Sequence, residues 1–191
     1  MLRNLLLAGA LAALGAPAFA QAPPPGGGLF ISPCGEPFRG GEGKAAWFAG
    51  ADADHDGVLT LAEFRADAAR FFKLLDVNAD GQVDGAENQR YEREIAPEIT
   101  GMGLGRPPGG PRGERPGEGR FIKRIGPKQA PREGAARFSM LNEPQPVRGG
   151  DGDLNQRVSA EEWAKVAGRR FGLLDADADG KLTLDTLPRR P

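Results

Sequence analysis

The sequence predicts an all-α chain of helix–loop–helix repeats, grouped as two blocks of paired acidic loops in which one helix serves both loops. Three observations predict it. Aspartates recur at a fixed interval, with Asp76 following Asp52 and Asp175 following Asp151 by the same 24 residues, and an internal repeat of that kind marks stacked supersecondary units. Each interval is bridged by apolar residues at helical spacing, from Glu63-Phe64 to Phe71-Phe72-Lys73-Leu74-Leu75 and from Glu162-Trp163 to Phe171-Gly172-Leu173-Leu174, which reads as an amphipathic helix of about three turns. Outside the blocks glycine and proline accumulate. The 29 Gly and 17 Pro among 191 residues are about twice average usage, so a good part of the chain is not packed core.

Taken in order, residues 1–20 read as a secretory signal peptide. Arg3 supplies the positive start, Leu5 to Leu14 the apolar stretch, and Ala18-Phe19-Ala20 the small-residue cleavage site. The apolar run is shorter than the roughly 20 residues that span a bilayer, so the expectation is an exported protein, periplasmic or secreted, with no transmembrane segment. Residues 21–43 are a Pro/Gly-rich stretch without periodicity, expected to be a flexible leader. It holds the single cysteine, Cys34, which in an oxidising compartment either pairs with another chain or stays an unpaired thiol. Residues 44–100 form the first block and 135–191 the second. Between them, residues 101–134 carry eight Arg or Lys against three Glu, a basic, disordered linker.

Two stretches of the first block carry chemistry. The first places Asp52, Asp54, Asp56, Gly57, Val58, Leu59, Thr60 and Glu63 at positions 1, 3, 5, 6, 7, 8, 9 and 12 of a loop. The second places Asp76, Asn78, Asp80, Gly81, Gln82, Val83, Asp84 and Glu87 at the same positions. A hard dication takes six to eight oxygens at roughly 2.3–2.6 Å, so carboxylates must converge from alternate positions of a tightly curled chain. Position 6 turns sharply and suits glycine. Position 7 offers a backbone carbonyl, position 9 acts through water, and the glutamate at position 12 closes the shell with both oxygens. Plain Asx turns explain one acidic loop. They do not explain position 12 and the flanking apolar helices twice. His55, the single histidine, sits at a non-liganding position.

The second block departs from the pattern. Asp151, Asp153, Asn155, Arg157 and Glu162 stand at positions 1, 3, 5, 7 and 12, with Gln156 where glycine is expected. Phe138 to Asn142 resembles Phe171 to Asp175, and Pro144 and Pro146 forbid a continuing helix. The expectation is an entering helix that ends near Leu141, then nine extra residues, 142–150, before the ligand run. Such a lengthened loop either binds metal or only holds the fold. The fourth loop has Asp175, Asp177, Asp179, Gly180 and Lys181 in place, but Thr186 stands at position 12 and Asp185 one residue early. No exiting helix is expected after it, and weaker binding, completed by water or Asp185, follows.

These loops resemble the EF-hand family, specifically small exported bacterial proteins with tandem EF-hands. The resemblance implies binding of calcium ions (Ca2+) by the positions named above, and no catalytic constellation.

Only 12 residues separate Glu63 from Asp76, so the exit helix of one hand is also the entry helix of the next. About 18 Å of helix then holds the two loops apart. The blocks are therefore expected to pack with antiparallel shared helices, loop 1 beside loop 4 and loop 2 beside loop 3, around Phe64, Phe71, Phe72, Trp163 and Phe171. Two independent units of about 55 residues would each have a marginal core.

The formal net charge of −1 implies no nucleic-acid partner. No Ser/His/Asp set, histidine metal site or phosphate-binding glycine loop is present, which argues against an enzyme. A calcium sensor exposes a Met-rich groove on loading, whereas beyond the signal peptide only Met102 and Met140 occur. Structural or buffering calcium binding is the first reading. The alternative is a calcium-regulated interaction protein whose basic linker docks on an anionic envelope surface or an acidic partner.

Overall fold

A computed structural model describes residues 28–101 and 132–188. The expected signal peptide, the head of the leader and most of the basic linker lie outside the described residues. Elements follow in the order β1 (Leu29–Ile31), β2 (Pro37–Arg39), α1 (Gly43–Ala51), β3 (Leu59–Thr60), α2 (Leu61–Leu75), β4 (Gln82–Val83), α3 (Gly85–Arg90), β5 (Val158–Ser159), α4 (Ala160–Leu174) and β6 (Lys181–Leu182). A π turn at Tyr91–Ile95 extends α3. Short 3₁₀ turns lie at Pro97–Thr100, Gly134–Arg137 and Arg148–Gly150. No helix of the described residues is long and apolar enough to cross a membrane.

The helices start where the acidic loops end. Thr60 caps α2, Asp84 caps α3 and Ser159 caps α4, each accepting from the backbone N–H three residues on. The glutamates there, Glu63, Glu87 and Glu162, accept from the capping residues' own N–H groups in return. Positions 9 and 12 of each loop thus form a reciprocal capping box, which satisfies donors that a helix N-terminus leaves unpaired. The other ends of the shared helices are loops again: Asp76 N–H closes α2 on Phe72 O, and Asp175 N–H closes α4 on Phe171 O.

Helices α2 and α4 are the centre of the fold. Phe64 meets Phe171 edge-on at 5.6 Å between ring centroids, and Phe72 meets Trp163 at 5.9 Å. The start of α2 therefore lies against the end of α4, and the two helices run antiparallel. Trp163 Nε1 donates to Ala68 O at 2.7 Å, so the indole packs without an orphaned donor. With that pairing, loop 1 joins loop 4 through Leu59 opposite Leu182, and loop 2 joins loop 3 through Val83 opposite Val158. The antiparallel arrangement and both loop pairs follow the expectation from the repeat.

Three expectations are corrected. The described chain is not all-α, since it holds three two-stranded antiparallel ribbons, β1–β2, β3–β6 and β4–β5. Two of these arise because aliphatic residues at position 8 pair across loops, where extended backbone suits them. The third lies in the leader, which is not flexible over residues 29–43. Phe30 and Ile31 are fully buried, Phe30 meets Trp47 at a tilt with 5.9 Å between ring centroids, and Ile31 N–H donates to Phe138 O at 2.9 Å. Three apolar residues in a row, Leu29-Phe30-Ile31, outweigh the surrounding glycines because burying each large side chain contributes roughly 1.5–3 kcal/mol. The expected entering helix before loop 3 is also absent: the segment makes only the 3₁₀ turns at Gly134–Arg137 and Arg148–Gly150, as Pro144 and Pro146 between them cannot donate to a helix ladder.

Cys34 lies in the core at 3 % exposure, and burial pushes its thiol up to about 12. It is a small apolar packing residue, next to Gly35, whose φ of 99° and whose approach to Pro146 and Tyr91 exclude a side chain. Arg170 is buried at 1 % exposure; it donates from Nε to Glu143 Oε2 at 2.8 Å and from Nη2 to Pro146 O at 2.5 Å, which clamps the inserted segment onto α4.

If the leader is core, Phe30→Ala costs about 3–5 kcal/mol in urea unfolding. A change of less than about 1 kcal/mol would mean that the hairpin only rests on the surface.

Candidate metal centre

The four acidic loops share one backbone shape. Position 4 adopts the left-handed region in each, at His55, Ala79, Leu154 and Ala178, with φ of 58°, 57°, 62° and 58°. Position 6 does so again at Gly57, Gly81, Gln156 and Gly180, with φ of 82°, 80°, 70° and 78°. Loop 3 therefore keeps the fold of the others despite its glutamine, at the steric cost of roughly 1–2 kcal/mol that a Cβ brings there.

What curls each loop is its own aspartates. Asp52 Oδ2 accepts from Gly57 N–H at 3.0 Å, Asp76 Oδ2 from Gly81 N–H at 2.9 Å, Asp151 Oδ2 from Gln156 N–H at 2.9 Å and Asp175 Oδ2 from Gly180 N–H at 3.0 Å. Position 1 is thus tied to position 6 in every loop. Position 5 holds the turn into the ribbon: Asp56, Asp80, Asn155 and Asp179 accept from the N–H groups of Val58, Gln82, Arg157 and Lys181 at 2.7–2.9 Å. The residues at position 7 accordingly contribute through the main chain, whatever their side chains.

Position 12 is folded back over the loop. Glu63 Oε1 accepts from Ala53 N–H at 3.0 Å, while Oε2 accepts from Thr60 N–H and from its hydroxyl. Glu87 accepts from the N–H groups of Val77 and Asp84 in the same way, without a hydroxyl, and Glu162 from Gly152 N–H and from the N–H and hydroxyl of Ser159. Hydrogen bonds from Thr60, main chain first and hydroxyl second, hold the Glu63 carboxyl below the ordinary glutamate range; those from Ser159 do the same for Glu162. In loop 4 the Thr186 hydroxyl takes over this capping, accepting from Thr183 N–H at 2.9 Å. A hydroxyl reproduces the hydrogen bond but not the charge.

Oxygens converge to different degrees in the four loops. Asp52, Asp54 and Glu63 each bring a carboxylate oxygen within 4.8 Å of the others, as do Asp151, Asp153 and Glu162, and Asp175, Asp177 and Asp179. Each trio has the spacing to hold a metal ion. Asp56 stands outside the first trio. Loop 2 forms no such trio of acids: position 3 is Asn78, whose Oδ1 accepts from Asp80 N–H at 2.9 Å, and Asp76, Asp80 and Glu87 are spread around it. Thr60 and Asp84 at position 9 are engaged as helix caps.

Loop 1 tests the fit to a hard cation. Asp52 is 5 % exposed and its Oδ1 is buried without a hydrogen-bond partner. An ionised oxygen left so is costly unless a cation or a donor meets it. The neighbouring oxygens of Asp54 and Glu63 are acceptors too, so the donor set fits a dication ligated by oxygen. Of the residues named from the sequence, the fold brings together Asp52, Asp54 and Glu63, Asp151, Asp153 and Glu162, and Asp175, Asp177 and Asp179. Sequence reasoning did not single out Asn88, which is buried beside loop 3 and has an unpartnered Oδ1; one polar residue in a helix of mixed composition gives no periodic signal.

Two substitutions test these local statements. Gln156→Gly relieves the left-handed strain and raises unfolding free energy by about 0.5–1 kcal/mol in the metal-free protein. Glu63 and Glu162 have native carboxyls depressed below the unfolded value near 4.3. Their contribution is therefore fully present above that value and disappears as pH falls through the lower native one. An acid titration followed by carboxyl NMR gives both groups midpoints below that unfolded value. Titration of Glu63 at or above the unfolded value would contradict the capping geometry.

Comparison with known proteins agrees with this geometry in the first block. The family model described as EF hand matches residues 44–66 and 68–87, which span α1, loop 1, α2, loop 2 and the start of α3. No curated protein and no solved structure matches the chain. Residues 44–66 and 68–87 are thus similar in sequence to the EF hand, and in the same stretch the acids Asp52, Asp54 and Glu63 converge closely enough to hold a metal ion.

Proposed function

We propose that the protein is an exported calcium-binding protein whose loops hold the ion in a structural or buffering role. The observation that carries this reading is the loop 1 trio, in which Asp52, Asp54 and Glu63 converge around a buried carboxylate oxygen that lacks a partner. Bound calcium supplies positive charge that offsets these clustered carboxylates.

In this reading Asp52, Asp54, Asp56 and Glu63 ligate through side chains and Val58 through its carbonyl, with Thr60 acting through water. Loop 2 uses Asp76, Asn78, Asp80 and Glu87, the Gln82 carbonyl and, through water, Asp84. Loop 3 uses Asp151, Asp153, Asn155, Glu162 and the Arg157 carbonyl. Loop 4 has Asp175, Asp177, Asp179 and the Lys181 carbonyl. Without a position-12 carboxylate it binds most weakly, since affinity follows ligand charge and number.

A structural or buffering role fits better than a switch. Met140 is buried in the core, which leaves it out of any exposed methionine groove. Extracellular modules work at affinities of about 10⁻⁴–10⁻³ M, and a fold whose two halves meet through its metal loops gains stability from the ion by mass action. Export, with the periplasm or medium as destination, is supported by the residues read as a signal peptide.

Calorimetric calcium titration tests the proposal. Glu63→Gln keeps an N3 residue able to complete the capping box, so helix content stays the same while affinity of loop 1 falls by about tenfold or more. Thr186→Glu strengthens loop 4. Absence of calcium heat and of any helical gain in the wild type at millimolar calcium would overturn the reading.

A further inference from the structure

Residues 28–101 and residues 132–188 meet along α2 and α4 and along both loop ribbons. On the first half the meeting surface is Leu59, Phe64, Phe72 and Val83; on the second it is Val158, Trp163, Phe171 and Leu182, each at 6 % exposure or less. They are matched pair by pair, with Phe64 on Phe171, Phe72 on Trp163, Leu59 opposite Leu182 and Val83 opposite Val158. Polar groups are matched in the same way. Strands β3 and β4 of the first half find their ladder partners in β6 and β5 of the second. Ala160 N–H donates to Gly81 O at 3.1 Å, and Lys44 Nζ donates to Leu184 O at 3.2 Å. A half on its own leaves an aromatic face and unpaired strand edges in water.

The same strands carry loop positions that face the ion. Thr60 and Ser159, at position 9 of loops 1 and 3, pair with Lys181 and Gln82, at position 7 of loops 4 and 2. Position 7 is the one whose carbonyl a calcium loop uses. The shape of a loop in one half is thus fixed by a strand from the other.

We propose that the two halves are complementary modules that recognise one another without their covalent connection: a chain cut between them remains one folded complex, and calcium sets how tightly it holds. Register at two ribbons at once, together with the antiparallel aromatic pairs, makes the recognition specific. The intact chain adds a tether, which raises the concentration of one module at the other to about millimolar. Calcium in loops that are shaped across the boundary favours the joined state, and by reciprocity the joined state favours calcium. That dependence rests on the calcium reading proposed above; the complementarity does not.

The experiment starts from the full chain with a recognition sequence for a specific endoprotease inserted after Gly117, which is then cut in place. In calcium, at about 10 µM, the cut chain sediments as one particle with the mass of the uncut chain and keeps its circular dichroism. In chelator the cut halves separate on dilution at concentrations about tenfold or more higher than in calcium. Thermal unfolding of the cut chain depends on its concentration, and that of the uncut chain does not. Val158→Ala, in β5, weakens association of the cut halves by about tenfold, while the tether keeps the uncut variant folded. Two separate particles or a precipitate in calcium overturn the complementarity, as does a cut chain that melts at one temperature whatever its concentration. A calorimetric calcium titration of the uncut chain separates the failures. Calcium bound by the uncut chain, with cut halves that do not join, refutes the complementarity alone. Calcium bound, with halves that join equally in both media, refutes the linkage. Halves that join in both media with no calcium bound refute the linkage and the proposed function together.

Discussion

A helix that serves two loops holds them at its opposite ends, and the rest of this fold depends on that constraint. At 15 residues, α2 and α4 are each about 22 Å long, so loop 1 cannot pair with loop 2, nor loop 3 with loop 4. Each loop needs a partner from the other half of the chain. Antiparallel packing of the two shared helices provides both partners at once, with Leu59 against Leu182 at one end and Val83 against Val158 at the other. The aromatic contacts between α2 and α4 and the two ribbons therefore form one cooperative unit. Neither block encloses a core alone.

The same arrangement explains how the loops can differ yet keep one shape. Loop curvature is set by position 1 accepting from the N–H of position 6, an interaction that needs a carboxylate at one end and only a backbone at the other. Gln156 can stand where its counterparts are glycine because the N–H is still there. Capping likewise survives the exchange of glutamate for Thr186, since a hydroxyl also accepts from Thr183 N–H. What does not survive is charge. Folding and ion binding thus make separate demands on the same positions, and loop 4 meets the first more fully than the second.

The half of the molecule around residues 132–150 is organised by a buried cation. Arg170 comes from α4 and reaches Glu143 and the Pro146 carbonyl, while its guanidinium lies over Trp163 at 5.5 Å. Removing one partner of such a buried pair is strongly destabilising, because the other charge stays behind unpaired. The leader hairpin closes the same region from the other side, through Ile31 N–H to Phe138 O and Tyr91 hydroxyl to Gly35 O. A segment without an entering helix is held by these contacts instead.

The sequence by itself determined the repeat, the acidic loops, the shared helices and, through helix length, which loops pair. These are consequences of local spacing: ligand positions two residues apart, apolar residues at helical intervals, and 12 residues between Glu63 and Asp76. Tertiary structure alone decided the rest. Leu29-Phe30-Ile31 is too short to show a period, so its place in the core follows only from the apolar surface of Trp47 and α1 waiting for it. Arg170 reads from sequence as one more charged residue on a polar helix face, yet it is buried because Glu143 and Pro146, distant in the chain, meet it there. The 3₁₀ turn before loop 3, and whether Asp52 leaves one oxygen unpartnered, depend on how neighbouring segments pack. Local spacing is written in the order of residues, whereas burial is a property of what the folded chain brings alongside.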